Sequence, residues 1–273
     1  MTDVTADAIT GDGLSEQELR RHLRHGSLDL RVYRSISSTN TVLKQLAEDG
    51  AGEGLVLLAE KQTAGRGRMG RSFYSPSRSG LYMSILLRPG QSAARALPLT
   101  ACAAVAVAEA VEELTGIPTG IKWVNDVYAG ERKICGILTE GSMDAGSGAL
   151  RYAVVGIGVN LFSPDGGFPE ELKSIAGALY TEAPAQDLRS RLAASVLDRL
   201  LDYYALFPET PFYRGYRERS FLLGRQVSIL SPGQAPVPAE VLDVAPDFSL
   251  VVRLGDGSVR CLNSGEVSIR PRP

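Results

Sequence analysis

The sequence is poor in the residues on which much enzyme chemistry is built. Only two of its 273 residues are histidine, His22 and His25, both near the N-terminus, which argues against a histidine triad or a His-rich metal site. The three cysteines, Cys102, Cys135 and Cys261, are odd in number and far apart. They fit neither a disulfide framework nor a zinc knuckle, and a reducing, cytoplasmic setting is expected. No apolar run can span a bilayer: Ala101–Ala108 is closed by Glu109. The first 14 residues have neither a cationic start nor an apolar core, so no secretory signal and no membrane partner are expected. An excess of positive charge is missing too. Lys and Arg number 29 against 31 Asp and Glu, a net charge of −2, which denies the chain a bulk electrostatic hold on nucleic acid.

What is present suits one large domain with a small appendage. Ser15 and Glu18 form a capping box, flanked by Leu14 and Leu19 at hydrophobic-staple positions, and predict a short helix to about His25. A strand is expected near Leu28–Arg34. Ser38 or Thr39 then caps a helix with Val42, Leu43, Leu46 and Ala47 on one face. Further strands are expected at Gly54–Glu60, Leu81–Leu87 and Tyr152–Val159, and an alanine-rich helix at Pro98–Thr115. One hairpin should pair Ile121–Val127 with Lys133–Glu140 through Ala129-Gly130. Long and short helices follow at Asp187–Leu206 and Pro211–Phe221. After Gly224 the character changes to short β segments with Asp256-Gly257 as a hairpin turn, suggesting a small β-barrel.

The segment Lys61–Phe73, KQTAGRGRMGRSF, matches a dinucleotide-binding fingerprint at Gly65, Gly67 and Gly70. The context is wrong, because no helix start follows and no acidic residue lies about twenty positions on. Charge says more. Between Lys61 and Arg78 stand five cations (Lys61, Arg66, Arg68, Arg71, Arg78) and no acid. Glycines permit close backbone approach, and arginines offer planar donors for carboxylate or phosphate. Taken alone, such a loop reads more readily as a solvated basic turn.

The run GRGRMGR resembles the glycine–arginine signature of biotin–protein ligases. Four further blocks agree with that family in order: SSTN at Ser37–Asn40, KWVND at Lys122–Asp126, RKICGIL at Arg132–Leu138 and GIGVN at Gly156–Asn160. The closing GEVSIRP, Gly265–Pro271, is similar to the end of the family's SH3-like domain. Val124 stands where the family usually has proline, and Phe73 where tryptophan often follows the loop. The resemblance implies an α+β fold, a class II synthetase-like mixed sheet flanked by helices, with a C-terminal SH3-like β-barrel. The implied division is an N-terminal tail and short helix over 1–27, a catalytic domain over 28–222 and the barrel over 223–273. Fewer than thirty residues precede the first core strand, so the monofunctional class is expected, with no helix-turn-helix domain and no sequence-specific DNA binding.

The implied reaction joins biotin and ATP as biotinyl-5′-AMP and then transfers biotin to a lysine of a biotin carboxyl carrier protein or domain. ATP and Mg²⁺ are the implied cofactors, and a homodimer is compatible with the family. By resemblance, Ser38, Thr39, Asn40 and Gln62 supply polar contacts to biotin, together with Gly65, Arg66, Gly67, Arg68, Lys133 and Gly136. Arg68, Arg71, Lys122, Trp123, Asn125 and Asn160 are the implied ATP contacts, with Trp123 beside adenine. Asn125 and Asp126 are hard oxygen donors suited to Mg²⁺. Lys133 and Arg66 are the implied catalytic residues, and 163–177 the loop that closes on the adenylate. Each has a plainer reading: helix capping for Ser38 and Thr39, core packing for Trp123, a turn for Asn125-Asp126. The rival functions are a lipoate or octanoate ligase of the same fold, a non-catalytic biotin sensor, and a nucleic-acid-binding protein using the Gly/Arg loop.

Overall fold

The computed structural model describes residues 14–89, 96–144, 146, 149–182, 187–230, 235–263 and 268–271. The tail over 1–13 and residues 265–267 of the closing motif lie outside them.

Helix α1 (Glu16–His22) begins as its capping box requires, with Ser15 Oγ accepting from the Glu18 amide and Leu14 and Leu19 buried. It docks on helix α4 (Leu188–Tyr204) through His22–Asp187 at 2.7 Å, while His25 reaches Asp202 at 2.9 Å. Both histidines are therefore spent on this contact.

Seven strands form the main sheet in the order β1-β2-β3-β7-β6-β5-β4. They are β1 (Asp29–Tyr33), β2 (Leu55–Ala59), β3 (Gly80–Leu87), β4 (Thr119–Lys122), β5 (Asp126–Ala129), β6 (Arg132–Met143) and β7 (Leu150–Asn160). Only β1 and β2 run parallel, so the sheet is mixed, as expected. Every residue of β2 is buried because both faces are covered. Leu55, Leu57 and Ala59 pack with Leu43 and Ala47 of α2 (Thr39–Glu48), whereas Val56 and Leu58 join the larger core with α3 (Ala96–Thr115) and α4. Ala103, Ala104, Ala106 and Ala108 of α3 are fully buried. A helix lined with such small side chains can lie close to a sheet and still carry α4 on its outer side.

The expected single hairpin is in fact two. Strands β4 and β5 pair first, and β5 and β6 pair next, leaving residues 123–125 of KWVND as a turn rather than part of a strand. Trp123 and Val124 turn into the core there, and the turn is tied down by Asn125, whose carbonyl accepts from the Ile137 amide at 2.9 Å. Alternation alone cannot distinguish such an inward turn from a continuing buried strand.

Helix α5 (Tyr213–Arg219) leads into a second, wholly antiparallel sheet ordered β11-β10-β9-β8-β12. Its strands are β8 (Gln226–Leu230), β9 (Val237–Val244), β10 (Leu250–Leu254), β11 (Val259–Leu262) and β12 (Ser268–Pro271). Gly257 takes φ +84° in the β10–β11 turn, as its Asp-Gly sequence requires. Phe248 fastens this sheet to the rest. Its ring is buried and stacks on Phe212 at 5.3 Å, with Tyr216 edge-on at 5.4 Å.

Candidate active site

The glycine–arginine loop is a small hairpin. Phe73 N donates to Gly65 O, Gly67 N donates to Arg71 O, and Arg66 bridges Ser72. Its glycines serve this turn. A Cβ on Gly65 would lie 2.4 Å from the Phe73 carbonyl oxygen, and Gly70 has φ +73°. Met69 takes φ 57° at the tip, a conformation that costs a non-glycine residue about 1 kcal/mol or more.

Beneath the hairpin lies a cleft of about 1100 Å³, mouth included. Strands β6 and β7 form its floor, where Gly136 pairs with Gly158 and Leu138 with Gly156. The missing side chains are filled by others. A Cβ on Gly158 would fall 2.5 Å from the Phe73 ring, one on Gly156 would fall 2.0 Å from Asn40 Oδ1, and one on Gly136 would fall 3.2 Å from Lys133 Nζ. The floor is thus flat because three working side chains lie directly on it.

At one end the N-terminus of α2 presents Ser38, Thr39 and Asn40 to the cleft. Ser38 caps the helix, accepting from the Thr41 amide. Thr39 bonds Gln62 Oε1 through its amide at 2.9 Å and its hydroxyl at 3.1 Å, and Gln62 donates in turn to Ser75. Asn40 Nδ2 donates to Leu138 O and Glu140, while the buried Ser84 hydroxyl lies 2.6 Å from Asn40 Oδ1 and 2.7 Å from Thr39 Oγ1. Capping and site formation therefore coincide.

At the other end, Lys133 Nζ is 2.7 Å from Asp126 Oδ1. Lys133 is paired in register with Tyr128 across a bulge, which still leaves its ammonium within reach of Asp126 two residues away on the same strand. Its backbone is held by the segment before Gly177: Lys133 N donates to Ile175 O and Gly177 N donates to Lys133 O, each at 2.9 Å. Arg68 reaches over from the hairpin to donate to Asn125 Oδ1 at 2.8 Å. Burial depresses the Arg68 pKa, Asp126 opposes that shift, and the neighbouring Arg71 adds to it. Lys122, Trp123 and Arg71 complete this wall. The indole Nε1 of Trp123 donates to Phe248 O at 2.7 Å, so a side chain lining the cleft is held by the second sheet.

Two expected site residues do not line the cleft. Gly65 lies inside the hairpin, as described. Asn160 is nearly buried at the end of β7, where its amide donates to Gly177 O at 3.1 Å and so anchors the 163–177 segment. Among the residues that line or brace the cleft, Ser84 and Glu140 carry no role in the sequence reading, and Gly156 and Gly158 enter it only as part of the GIGVN block. Glycines two apart in a buried strand share one face, so Gly156-x-Gly158 was a readable sign of close approach. Ser84 and Glu140 carried no comparable sign. Cys135 is buried, and burial drives its thiol pKa up, leaving no thiolate nucleophile at the floor.

A cationic loop over a flat floor, with a polar cluster at one end and a paired lysine at the other, suits a small anionic ligand beside a nucleotide phosphate. Comparison with known proteins agrees. Residues 32–160 match the model of the biotin/lipoate A/B protein ligase family. The chain is 42% identical over 172 residues to a bifunctional ligase/repressor, BirA, of Bacillus subtilis, and spans about half (52%) of that protein's length. It is 32% identical to the biotin–[acetyl-CoA-carboxylase] ligase of Mycobacterium tuberculosis, covering 93% of this chain and 95% of that one. The biotin protein ligase of Aquifex aeolicus, solved with biotin and ATP, superposes with a TM-score of 0.72 at 28% identity, over 89% of this chain and 99% of its own. The likeness to the Mycobacterium tuberculosis and Aquifex aeolicus proteins runs through almost their whole length, and the chain belongs to the biotin protein ligase family.

Proposed function

We propose that the protein activates biotin with ATP to biotinyl-5′-AMP and then transfers biotin to a lysine of a biotin carboxyl carrier protein or domain. The observation that carries this reading is the position of Lys133. Its ammonium lies over Gly136 on the cleft floor and 2.7 Å from Asp126, at the end of the cleft that Lys122 and Trp123 also line.

In the first step a biotin carboxylate oxygen attacks the α-phosphorus of ATP, the bond to the β-phosphate breaks, and pyrophosphate leaves. Carboxylate and triphosphate repel each other, so cations must stand where they meet. Lys133 supplies one, and Arg68, Arg71 and Lys122 supply others along the nucleotide side. In the second step the carrier amine attacks the acyl carbon and AMP departs. Between the steps, Arg66 and the hairpin keep water from the mixed anhydride. Ser38, Thr39, Asn40 and Gln62 supply donors and acceptors for the ureido ring, and Trp123 offers an aromatic face to adenine.

Mg²⁺ commonly takes one or two protein carboxylates and otherwise binds the nucleotide's phosphates. Asp126 fits that donor set. Asn125 fits it less well because its amide oxygen is neutral; the Oδ1 atoms of both residues are engaged within the protein, that of Asn125 by Arg68 and that of Asp126 by Lys133 and Asn125 Nδ2. When bound, the metal would neutralise phosphate charge beside Asp126.

Residues 28–222 would be the catalytic unit and 223–273 the accessory barrel. Among the described residues no helix is long and apolar enough to cross a membrane. A cytoplasmic setting is proposed because the buried cysteines are unpaired. DNA binding is not part of this reading.

Pyrophosphate exchange into ATP, assayed with biotin, lipoate and octanoate in parallel, tests the assignment. Exchange should depend on biotin and Mg²⁺. Equal or greater exchange with lipoate would contradict the assignment and favour the lipoyl branch of the family.

A further inference from the structure

Glu140 belongs to none of the motif blocks, yet it gathers three parts of the cleft on one carboxylate. It sits on β6 two residues beyond Leu138, with its side chain 16% exposed. Lys44 of α2 lies 2.9 Å from Oε1, Asn40 Nδ2 lies 3.2 Å from Oε2, and Arg66 Nη1 of the hairpin lies 3.2 Å from Oε1 and 3.3 Å from Oε2. The hairpin's second anchor is Arg68 on Asn125, which is bonded to Ile137. Ile137 and Glu140 are three residues apart on one strand, so the anchors are about 10 Å apart along the floor.

We propose that Glu140 is a positioning residue: it latches the glycine–arginine hairpin over the cleft through Arg66, and so governs how long the acyl-adenylate is retained. An ordinary surface ion pair contributes little, because both side chains must be ordered and solvent screens them. Here Asn40 and Lys44 already fix the carboxylate, and only Arg66 has to be ordered. Burial would raise the Glu140 pKa, but the hydrogen bonds from Lys44 and Asn40, with the charges of Lys44 and Arg66, hold it below the usual carboxylate range. The acceptor is therefore ionised at neutral pH and available to the hairpin.

The retention claim rests on the proposed acyl-adenylate chemistry, whereas the latch itself does not, and two measurements separate them. The first is hydrogen exchange over residues 63–73 in the full-length protein without added biotin. Glu140→Gln preserves shape and can still accept from Asn40, but loses its charge. It should raise exchange in that segment about fivefold to tenfold, the factor given by turning a charge-assisted hydrogen bond into a neutral one, and leave the β6–β7 floor protected. Lys44→Met, which removes one of the two groups that fix the carboxylate but spares the Arg66 contact, should raise exchange there by clearly less than Glu140→Gln does. The second measurement is release of biotinyl-AMP. Glu140→Gln should speed release by about the same factor, and should add nothing in an Arg66→Ala background. Unchanged exchange in Glu140→Gln, or equal loosening by Lys44→Met, overturns the latch. Unchanged release, or an effect that adds to Arg66→Ala, overturns its role in retention. A parent protein that forms no biotinyl-AMP overturns the functional reading and with it retention, while the exchange result still decides the latch.

Discussion

The two walls of the cleft are built in opposite ways. The floor is a pair of central strands, buried on their far side, in which Gly136, Gly156 and Gly158 leave room for Lys133, Asn40 and Phe73. Each of those side chains rests on backbone and has little freedom to move. The opposing wall is an exposed hairpin whose arginines hold by single side-chain contacts, Arg66 to Glu140 and Arg68 to Asn125. Rigidity belongs where charge develops, because preorganised groups need not rearrange in the transition state. A wall that admits substrate and then retains an intermediate needs contacts weak enough to break on the timescale of turnover.

If the division is real, the floor should yield the largest effects. Lys133→Ala should slow biotinyl-AMP formation by a factor on the order of 10² or more, since it removes one preorganised electrostatic contact. Single-turnover quench experiments measure this. Gly156→Ala should come next. Its Cβ would meet Asn40 Oδ1 at 2.0 Å, pushing the carboxamide off the floor and away from Ser84. Biotin affinity, read by calorimetry, should fall about tenfold or more, as expected when a buried polar group loses its partner.

These residues also show how far the sequence could be read. The helices, most strands of the first sheet and all five C-terminal strands follow from periodicity and turn signals, most bounds within about two residues, whereas the mixed order of the main sheet is what the resemblance implies. The motif blocks led to Lys133, Asp126 and the arginine loop. Inward turns and long-range pairing were harder to see. Residues 123–125 look like strand until Trp123 is seen to point at Phe248. Asn160 reads as a ligand contact, and its bond to Gly177, 17 positions on, has no local sign. Ser84 and Glu140 are ordinary strand residues whose partners lie 44 and 74 positions away, and no local pattern encodes such distances.

A smaller effect should come from the link to the second sheet. Trp123→Phe removes the bond to Phe248 O while keeping an aromatic face. The KM for ATP should rise about fivefold, in line with about 1 kcal/mol for one hydrogen bond. A change in the KM for biotin of equal size would show that the indole serves the whole cleft and not its nucleotide end.

The smallest effect concerns pH. The Glu140 pKa is lowered in the folded chain, so the stabilisation it gives is present above its unfolded value and lost as pH falls through the lowered one. Intrinsic-rate-corrected exchange of the hairpin should be flat from neutral pH down to about 4.5 and rise below that. Glu140→Gln should flatten the profile. A rise beginning near pH 6 would point to another group.

The division between the walls is tested most directly by following biotinyl-AMP formed on the protein and biotinyl-AMP lost to solvent in one single-turnover experiment on Lys133→Ala and Arg66→Ala. Lys133→Ala should form the intermediate slowly and retain what it forms. Arg66→Ala should still form it but release it faster, labelling lysines of unrelated proteins. Normal adenylation by Lys133→Ala, or parent-like retention by Arg66→Ala, would contradict the account.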